Sequence, residues 1–191
     1  MQVEYEATFA DIDKAEVRQR LQSAGAILLR PEYLQRRITF NPPLGCQIER
    51  SWARVRDEGD RVTVSFKSLT GDKITDQKEI MIQVDDYHRA EALLLALGCQ
   101  RKAYHENKRE LWQLDDAEIT IDEWPFLEPF VEIEGASESA VKTAAEKLGF
   151  DYDQALFCTV ATLYNRKYGV STRLVNHELP LIVFNQANPF L

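Results

Sequence analysis

Carboxylates occupy alternate positions of two predicted strands near the middle of the chain. The pattern predicts strands over residues 118–122 and 130–134, which carry Asp122, Glu132 and Glu134. Successive side chains of a strand point to opposite faces, so Glu132 and Glu134 share a face, and Asp122 can lie beside them if the strands pair. Carboxylates that share a surface repel each other unless cations join them, and Mg²⁺ and Mn²⁺ prefer oxygen ligands. The stretch therefore predicts either a divalent metal site or the solvated face of an antiparallel hairpin.

Basic side chains recur on four other segments that alternate polar and apolar residues. They are Arg36, Arg37, Arg54, Arg56, Lys67, Lys108 and Arg109. Arginine binds phosphate oxygens in a bidentate manner, and metal ions held by carboxylates bridge such oxygens. A polyphosphate with Mg²⁺ or Mn²⁺ would therefore satisfy the acidic and the basic residues together.

The elements that must position these residues are strands with one polar and one apolar face. Strands are predicted over residues 2–9, 26–29, 34–40, 51–56, 61–68 and 77–84 and within 102–114, with a break at Pro31 and a hairpin turn at 57–60. Helices are predicted over residues 11–25, 86–97, 137–148 and 153–168, with Asp13 and Ser137 as caps and Gly25, Gly98 and Gly149 as stops. The tail over 179–184 is expected to pack as an edge strand.

The apolar strand faces must be covered, and the amphipathic helices are available to cover them. If the helices lie outside the sheet, the polar faces point inward and a closed barrel encloses a charged lumen. The alternative is a two-layer sheet with a solvated face of mixed charge. The pattern alone leaves both open.

Composition excludes several classes of protein. The chain has 191 residues and a formal net charge of −8, which disfavours a nucleic-acid binder or a protein of anionic membranes. Charged, strand-like sequence begins at Val3, so we expect no signal peptide, and no apolar run approaches the ~20 residues of a membrane span. Cys46, Cys99 and Cys158 are scattered, which predicts free thiols in a reducing cytoplasm. We expect one domain over residues 1–191.

The ordered set of motifs resembles the CYTH superfamily, the triphosphate tunnel metalloenzymes, which groups class IV adenylate cyclases with thiamine and inorganic triphosphatases. The matching positions are Glu4-Tyr-Glu6, Arg54-Val-Arg56, Lys67, Glu79, Lys108-Arg109 ahead of Trp112, Asp122 and Glu132-Ile-Glu134. The order and spacing hold from residue 3 to about 148, and residues 153–191, a predicted helix and tail, lie beyond the signature. Thr8 stands where the family has a lysine, and Arg36 or Arg37 could compensate.

The resemblance implies an α+β fold: a closed antiparallel barrel of roughly eight strands that forms a tunnel, with helices packed outside. It implies metal ions (Mg²⁺ or Mn²⁺) on Glu4, Glu6, Asp122, Glu132 and Glu134. It implies a triphosphate held by Arg36, Arg37, Arg54, Arg56, Lys67, Lys108 and Arg109. The expected catalytic residues are Glu4, Glu6, Lys67 and Glu79.

The function expected by analogy is that of a class IV adenylate cyclase, which converts ATP to cyclic AMP and pyrophosphate. The alternative is an inorganic, thiamine or nucleoside triphosphatase. A second alternative, motivated by Thr8, is a non-catalytic binder of nucleotides or polyphosphates. The expected partner is ATP or tripolyphosphate, with no nucleic acid and no membrane, and a homodimer is left open.

Overall fold

The computed structural model describes residues 1–45 and 50–191, and Cys46 lies outside these ranges. The strands are β1 (Gln2–Val3), β2 (Tyr5–Phe9), β3 (Ile27–Asn41), β4 (Ser51–Asp57), β5 (Val62–Leu69), β6 (Gln77–Val84), β7 (Gln100–Leu114), β8 (Ala117–Glu123), β9 (Phe130–Gly135) and β10 (Leu181–Ile182). The α-helices are α1 (Lys14–Ser23), α2 (Tyr87–Ala96), α3 (Glu138–Lys147) and α4 (Val160–Tyr168). Short 3₁₀ turns span Ile74–Asp76 and Tyr152–Gln154, and a π turn spans Leu174–Glu178.

The strands form a nearly closed antiparallel barrel. Within the described residues the order of paired strands is β1-β6-β5-β4-β3-β7-β8-β9-β2. β1 and β2 are consecutive parts of one N-terminal segment, divided at Glu4, and they pair with β6 and β9 at the two ends of this order. The sheet therefore curves back on itself, which confirms the predicted barrel with its helices outside.

The outer face of one half of the barrel is covered by α1 and α3. Val17 and Leu21 of α1 and Val141 of α3 are buried in one apolar cluster with Ile119 of β8 and Ile133 of β9. Asp13 caps α1, and its side chain accepts a hydrogen bond from the Glu16 amide. Apolar residues on these strands thus point outward toward the helices, and the alternating polar residues point into the barrel.

The other half of the barrel is covered by α2. Ala90 packs against Ile38 and Phe40 of β3 and against Ala53 and Val55 of β4. The intervening residues of these strands, which include the lumen arginines, therefore face inward.

Two predicted boundaries are wrong. Pro31 does not break its strand: β3 runs through it, and its register against β7 shifts between Arg30 and Tyr33, since a proline that cannot donate a hydrogen bond is accommodated at an irregularity. The fourth helix does not begin at Asp153 but at Val160. The preceding segment is extended, and Leu156 exchanges backbone hydrogen bonds of 3.0 and 2.9 Å with Thr8.

The tail covers one part of the barrel. Leu181 and Ile182 pair in parallel with Tyr104 and His105 of β7, which confirms the predicted edge strand. Tyr164 of α4 is buried with neighbours from the barrel and the tail, and its hydroxyl donates to the Pro125 carbonyl at 2.8 Å. None of the helices in the described ranges combines the length and apolar character that a membrane span requires.

Candidate functional site

The barrel encloses a cavity of about 2080 Å³ in which a group of glutamates and a group of arginines lie on opposite sides. β9, the β1–β2 segment and β6 are neighbours, and β4, β3 and β7 are neighbours on the opposite side. The first group carries an acidic wall, formed by Glu4, Glu6, Glu79, Glu132 and Glu134. The second carries a basic wall, formed by Arg37, Arg54, Arg56 and Arg109. Lys67 of β5 lies between them, so the lumen can hold cations on one side and an anion on the other.

Glu4, Glu6 and Glu134 form a compact carboxylate group within the acidic wall. One oxygen from each lies within 4.8 Å of the others. Gln77 Nε2 donates to Glu4 at 3.1 Å and to Glu6 at 2.9 Å, which fixes two of the three carboxylates. This set of oxygens fits the preference of Mg²⁺ and Mn²⁺ for hard ligands.

Burial keeps this carboxylate group partly protonated. Desolvation, opposed by Lys67 and aided by Glu6, raises the pKa of Glu4 to about 7. Desolvation and repulsion from Glu6 and Glu4 raise the pKa of Glu134 to about 8. A bound divalent cation would displace these protons and restore the charged forms.

The stability of the protein should therefore fall with rising pH when no divalent cation is present. The folded pKa values of Glu4 and Glu134, about 7 and 8, exceed the ordinary 4.5. The folded state thus binds more protons than the unfolded state between about pH 5 and 8, and the free energy of unfolding decreases across that range. Thermal unfolding in chelator at several pH values tests this. Addition of Mg²⁺ and the variant Glu134→Gln should each flatten the decrease, and a midpoint that rises with pH would contradict the prediction.

Lys67 and Glu79 join the two walls. Lys67 Nζ lies 2.8 Å from Glu4 Oε1 and 3.7 Å from Glu79 Oε2, and Arg54 Nη2 donates to Glu79 at 3.0 Å. Burial opposes ionisation of Glu79, but Lys67 and Arg54 outweigh it and lower its pKa to about 2. Glu79 is therefore a weak proton acceptor that orients two cations.

The basic wall contains donors that nothing in the described protein satisfies. The Nε atoms of Arg37, Arg54 and Arg56 are buried without a hydrogen-bond partner. Burial, with smaller contributions from the neighbouring Arg54 and Arg109, lowers the pKa of Arg56 to about 10, so its charge is held in an unfavourable environment. A buried unsatisfied donor costs roughly 1–3 kcal/mol, so an anion between these arginines would be stabilising.

Asp122 anchors the basic wall and does not join the carboxylate group, contrary to expectation. Its buried carboxylate accepts two hydrogen bonds from Arg109, at 2.9 and 2.7 Å, and one from Asn107 at 2.6 Å. Arg109 also donates to Glu132 at 2.6 Å, so Glu132 too is held by an arginine. These hydrogen bonds engage both oxygens of Asp122, so a metal ion would have to displace donors to bind there. Asn107 accepts from Arg37 and links the two arginines.

Arg36 and Lys108 lie on the outside of the barrel, contrary to the prediction that they bind substrate. Arg36 is exposed and opposite Asp57 in the β3–β4 register. Lys108 Nζ lies 3.2 Å from Glu123 and over the Phe184 ring. Adjacent residues of a strand face opposite sides, so only Arg37 and Arg109 of the two pairs can reach the lumen. Arg36 cannot compensate there for the lysine that Thr8 replaces.

Thr8 is buried on the same side of β2 as Glu6, opposite Glu132 in the register with β9. Its backbone is paired with Leu156, so the extended segment that precedes α4 lies directly beside it. We expect Thr8→Lys to destabilise the fold by about 1–3 kcal/mol through overpacking, or roughly 2–12 °C in Tm. Thermal unfolding checks this against Thr8→Val. Unchanged stability with tighter tripolyphosphate binding would show that the lysine reaches the lumen.

Several lumen residues escaped the sequence analysis. Gln77 and Asn107 are in phase with Glu79 and Arg109 on their strands, so strict alternation would have found them. Glu58 directly follows β4, two positions after Arg56, but the sequence assigns it to the hairpin turn. It is fully buried and pairs with Arg56 at 2.6 Å and with Arg61 at 2.7 Å.

Comparison with known proteins agrees with this architecture. A proposed adenylate cyclase from Vibrio parahaemolyticus has a TM-score of 0.72 at 10% identity, with 86% of this chain and 98% of that chain covered. A conserved hypothetical protein from Pyrococcus furiosus has a TM-score of 0.68 at 18% identity, with 84% and 99% covered. A proposed adenylyl cyclase from Hippeastrum, with a dominant triphosphatase activity, has a TM-score of 0.56 at 13% identity, with 91% and 100% covered.

At these identities the similar structures show the fold alone, and no curated protein sequence matches the chain. The sequence model of the CYTH domain matches residues 4–159, which is most of the chain. This protein therefore belongs to the CYTH domain family.

Proposed function

We propose that the protein is a metal-dependent phosphoryl-transfer enzyme that acts on a triphosphate-bearing small molecule in its tunnel. The observation that carries the proposal is the opposition of two walls. Three buried guanidinium Nε atoms on one side have no hydrogen-bond partner among the described residues, and three carboxylates within 4.8 Å of one another lie on the other side. An anion that brings its own cations would satisfy both sides at once.

Glu4, Glu6 and Glu134 would hold Mg²⁺ or Mn²⁺. When bound, such an ion would polarise phosphoryl oxygens and offset the charge that develops on them. Arg37, Arg54 and Arg56 would bind and orient the phosphate chain.

Lys67, fixed between Glu4 and Glu79, would supply a further positive charge from the junction of the walls. Because these groups are already held in place, they lose little freedom when the substrate binds.

Two reactions fit this arrangement. In a cyclase, the ribose 3′-hydroxyl attacks the α-phosphorus and pyrophosphate leaves. In a triphosphatase, water attacks the terminal phosphorus, the diphosphate end of the chain leaves, and inorganic phosphate is formed. The cavity of about 2080 Å³ exceeds the ~300–1,000 Å³ of usual small-molecule sites. That spare room supports a nucleoside triphosphate and class IV adenylate cyclase activity as the first candidate. The charged lining supports the triphosphatase alternative.

Product analysis tests the proposal. Purified protein is incubated with ATP and Mn²⁺, and separately with tripolyphosphate and Mn²⁺. Cyclic AMP with pyrophosphate identifies the cyclase, and ADP with phosphate, or pyrophosphate with phosphate from tripolyphosphate, identifies a triphosphatase. Tight binding without any product would favour the non-catalytic binder, and neither binding nor product would refute the proposal.

A further inference from the structure

A bulge in β7 introduces a cation into the tunnel that regular alternation would exclude. Against β3, Thr39 pairs with Ala103 and Phe40 pairs with Arg101, so Lys102 has no opposite residue. An extra residue of this kind redirects the side chains that follow it.

The consequence is an exchange of faces between two basic residues. In a regular strand, Arg101 would share the inward face of Ala103 and His105, and Lys102 would point outward. Instead Lys102 lines the cavity, and Arg101 reaches Glu91 on the outer helix α2 at 2.8 Å.

Lys102 is half-buried and has no carboxylate partner among the residues that the structure describes. His105 is its neighbour in the cavity, and the buried Nε2 atom of His105 has no hydrogen-bond partner in the described parts of the chain. Burial, Arg37 and Lys102 lower the pKa of His105 to about 3, so its imidazole is neutral and can offer an N–H group.

The tail brings one cation, Arg173, and one neutral imidazole, His177, to the same region. Arg173 and His177 line the cavity, and burial followed by the charges of Lys102 and Arg173 lowers the pKa of His177. Arg173 forms an ion pair with Glu178 at 3.2 Å, whereas Lys102 has no such partner within residues 1–45 and 50–191.

This region continues directly from the basic wall. His105 is opposite Arg37 in the β3–β7 register, and Arg37 is one of the arginines with an unsatisfied Nε atom. The lumen therefore offers donors to an anion from Arg37 through His105 to Lys102.

We propose that Lys102 and His105 form a subsite for a fourth phosphate, so that the tunnel accepts linear polyphosphates longer than tripolyphosphate. The proposal rests on the proposed triphosphate site, since the extra phosphate is bound only as a continuation of the chain held by the lumen arginines. Burial lowers the pKa of Lys102, and an incoming anion would relieve that cost.

Calorimetric binding of tripolyphosphate and tetrapolyphosphate at a fixed excess of Mg²⁺ tests the subsite. We expect the wild type to bind tetrapolyphosphate about tenfold more tightly than tripolyphosphate, because one additional charge-assisted hydrogen bond contributes about that much affinity. Lys102→Met should abolish this preference and leave tripolyphosphate binding unchanged. Lys102→Arg should retain it, and Lys142→Met, which removes an exposed lysine from α3, should behave as wild type.

The outcomes separate this proposal from the proposed function. Equal wild-type affinities for the two chains would overturn the subsite and leave the triphosphate site standing. An equal loss of affinity for both chains in Lys102→Met would place Lys102 in the triphosphate site and also overturn the subsite. Failure of the wild type to bind either chain would overturn both proposals. Lys102→Gln replaces Lys102→Met should the latter unfold.

Discussion

Glu6→Gln should abolish metal-dependent turnover and leave the barrel folded. Glu6 belongs to the compact carboxylate group, and burial, repulsion from Glu132 and opposing attraction to Lys67 leave its pKa raised. Loss of a residue that only supports a metal ligand costs about 10–100-fold, so loss of a ligand should cost more than 100-fold in activity. A neutral glutamine matches the protonated carboxyl in size, which is why we expect little change in stability.

Manganese affinity and thermal unfolding separate the explanations. Glu6→Gln should bind Mn²⁺ more weakly, and its unfolding midpoint without metal should equal or exceed that of the wild type. The control is Glu146→Gln, which removes an exposed carboxylate from α3. Full turnover in excess chelator, or unchanged Mn²⁺ affinity in Glu6→Gln, would contradict the assignment of Glu6 as a metal ligand. An unfolded variant would show that Glu6 is structural.

The alternation of side chains along a strand predicts which face a residue occupies where the strand is regular. Glu4 and Glu6, or Arg54 and Arg56, are two positions apart, so their shared face follows from strand geometry alone. Arg36 and Arg37 are adjacent, and sequence spacing cannot decide which one faces inward without the apolar phase of Ile38 and its cover by α2.

The remaining features depend on contacts between distant parts of the chain. The segment before α4 is extended because its backbone bonds to Thr8, about 150 residues earlier. Lys102 enters the lumen because of a bulge, which exists only relative to β3. Asp122 was expected on a metal ion, and its capture by Arg109 depends on the pairing of β7 with β8. Local patterns carry none of this information.

Arg54→Ala and Arg56→Ala should each weaken tripolyphosphate binding about tenfold to a hundredfold. Each removes a buried guanidinium group with an unsatisfied Nε atom that faces the lumen. A hydrogen bond to a charged group contributes about 1.5–3 kcal/mol, which corresponds to that range of affinity. Arg54→Lys and Arg56→Lys should restore part of the lost affinity, because lysine returns the positive charge but not the planar set of guanidinium donors.

Arg36→Ala is the matched control, because the sequence motif would assign Arg36 to the substrate whereas the structure places it outside, opposite Asp57. Its tripolyphosphate affinity should equal that of the wild type in a calorimetric titration. Unchanged affinity in both Arg54→Ala and Arg56→Ala would mean that the phosphate chain lies elsewhere. A loss in Arg36→Ala as large as theirs would mean that β3 has the opposite phase. The combined pattern of these variants therefore tests the geometry of the basic wall and the triphosphate assignment together.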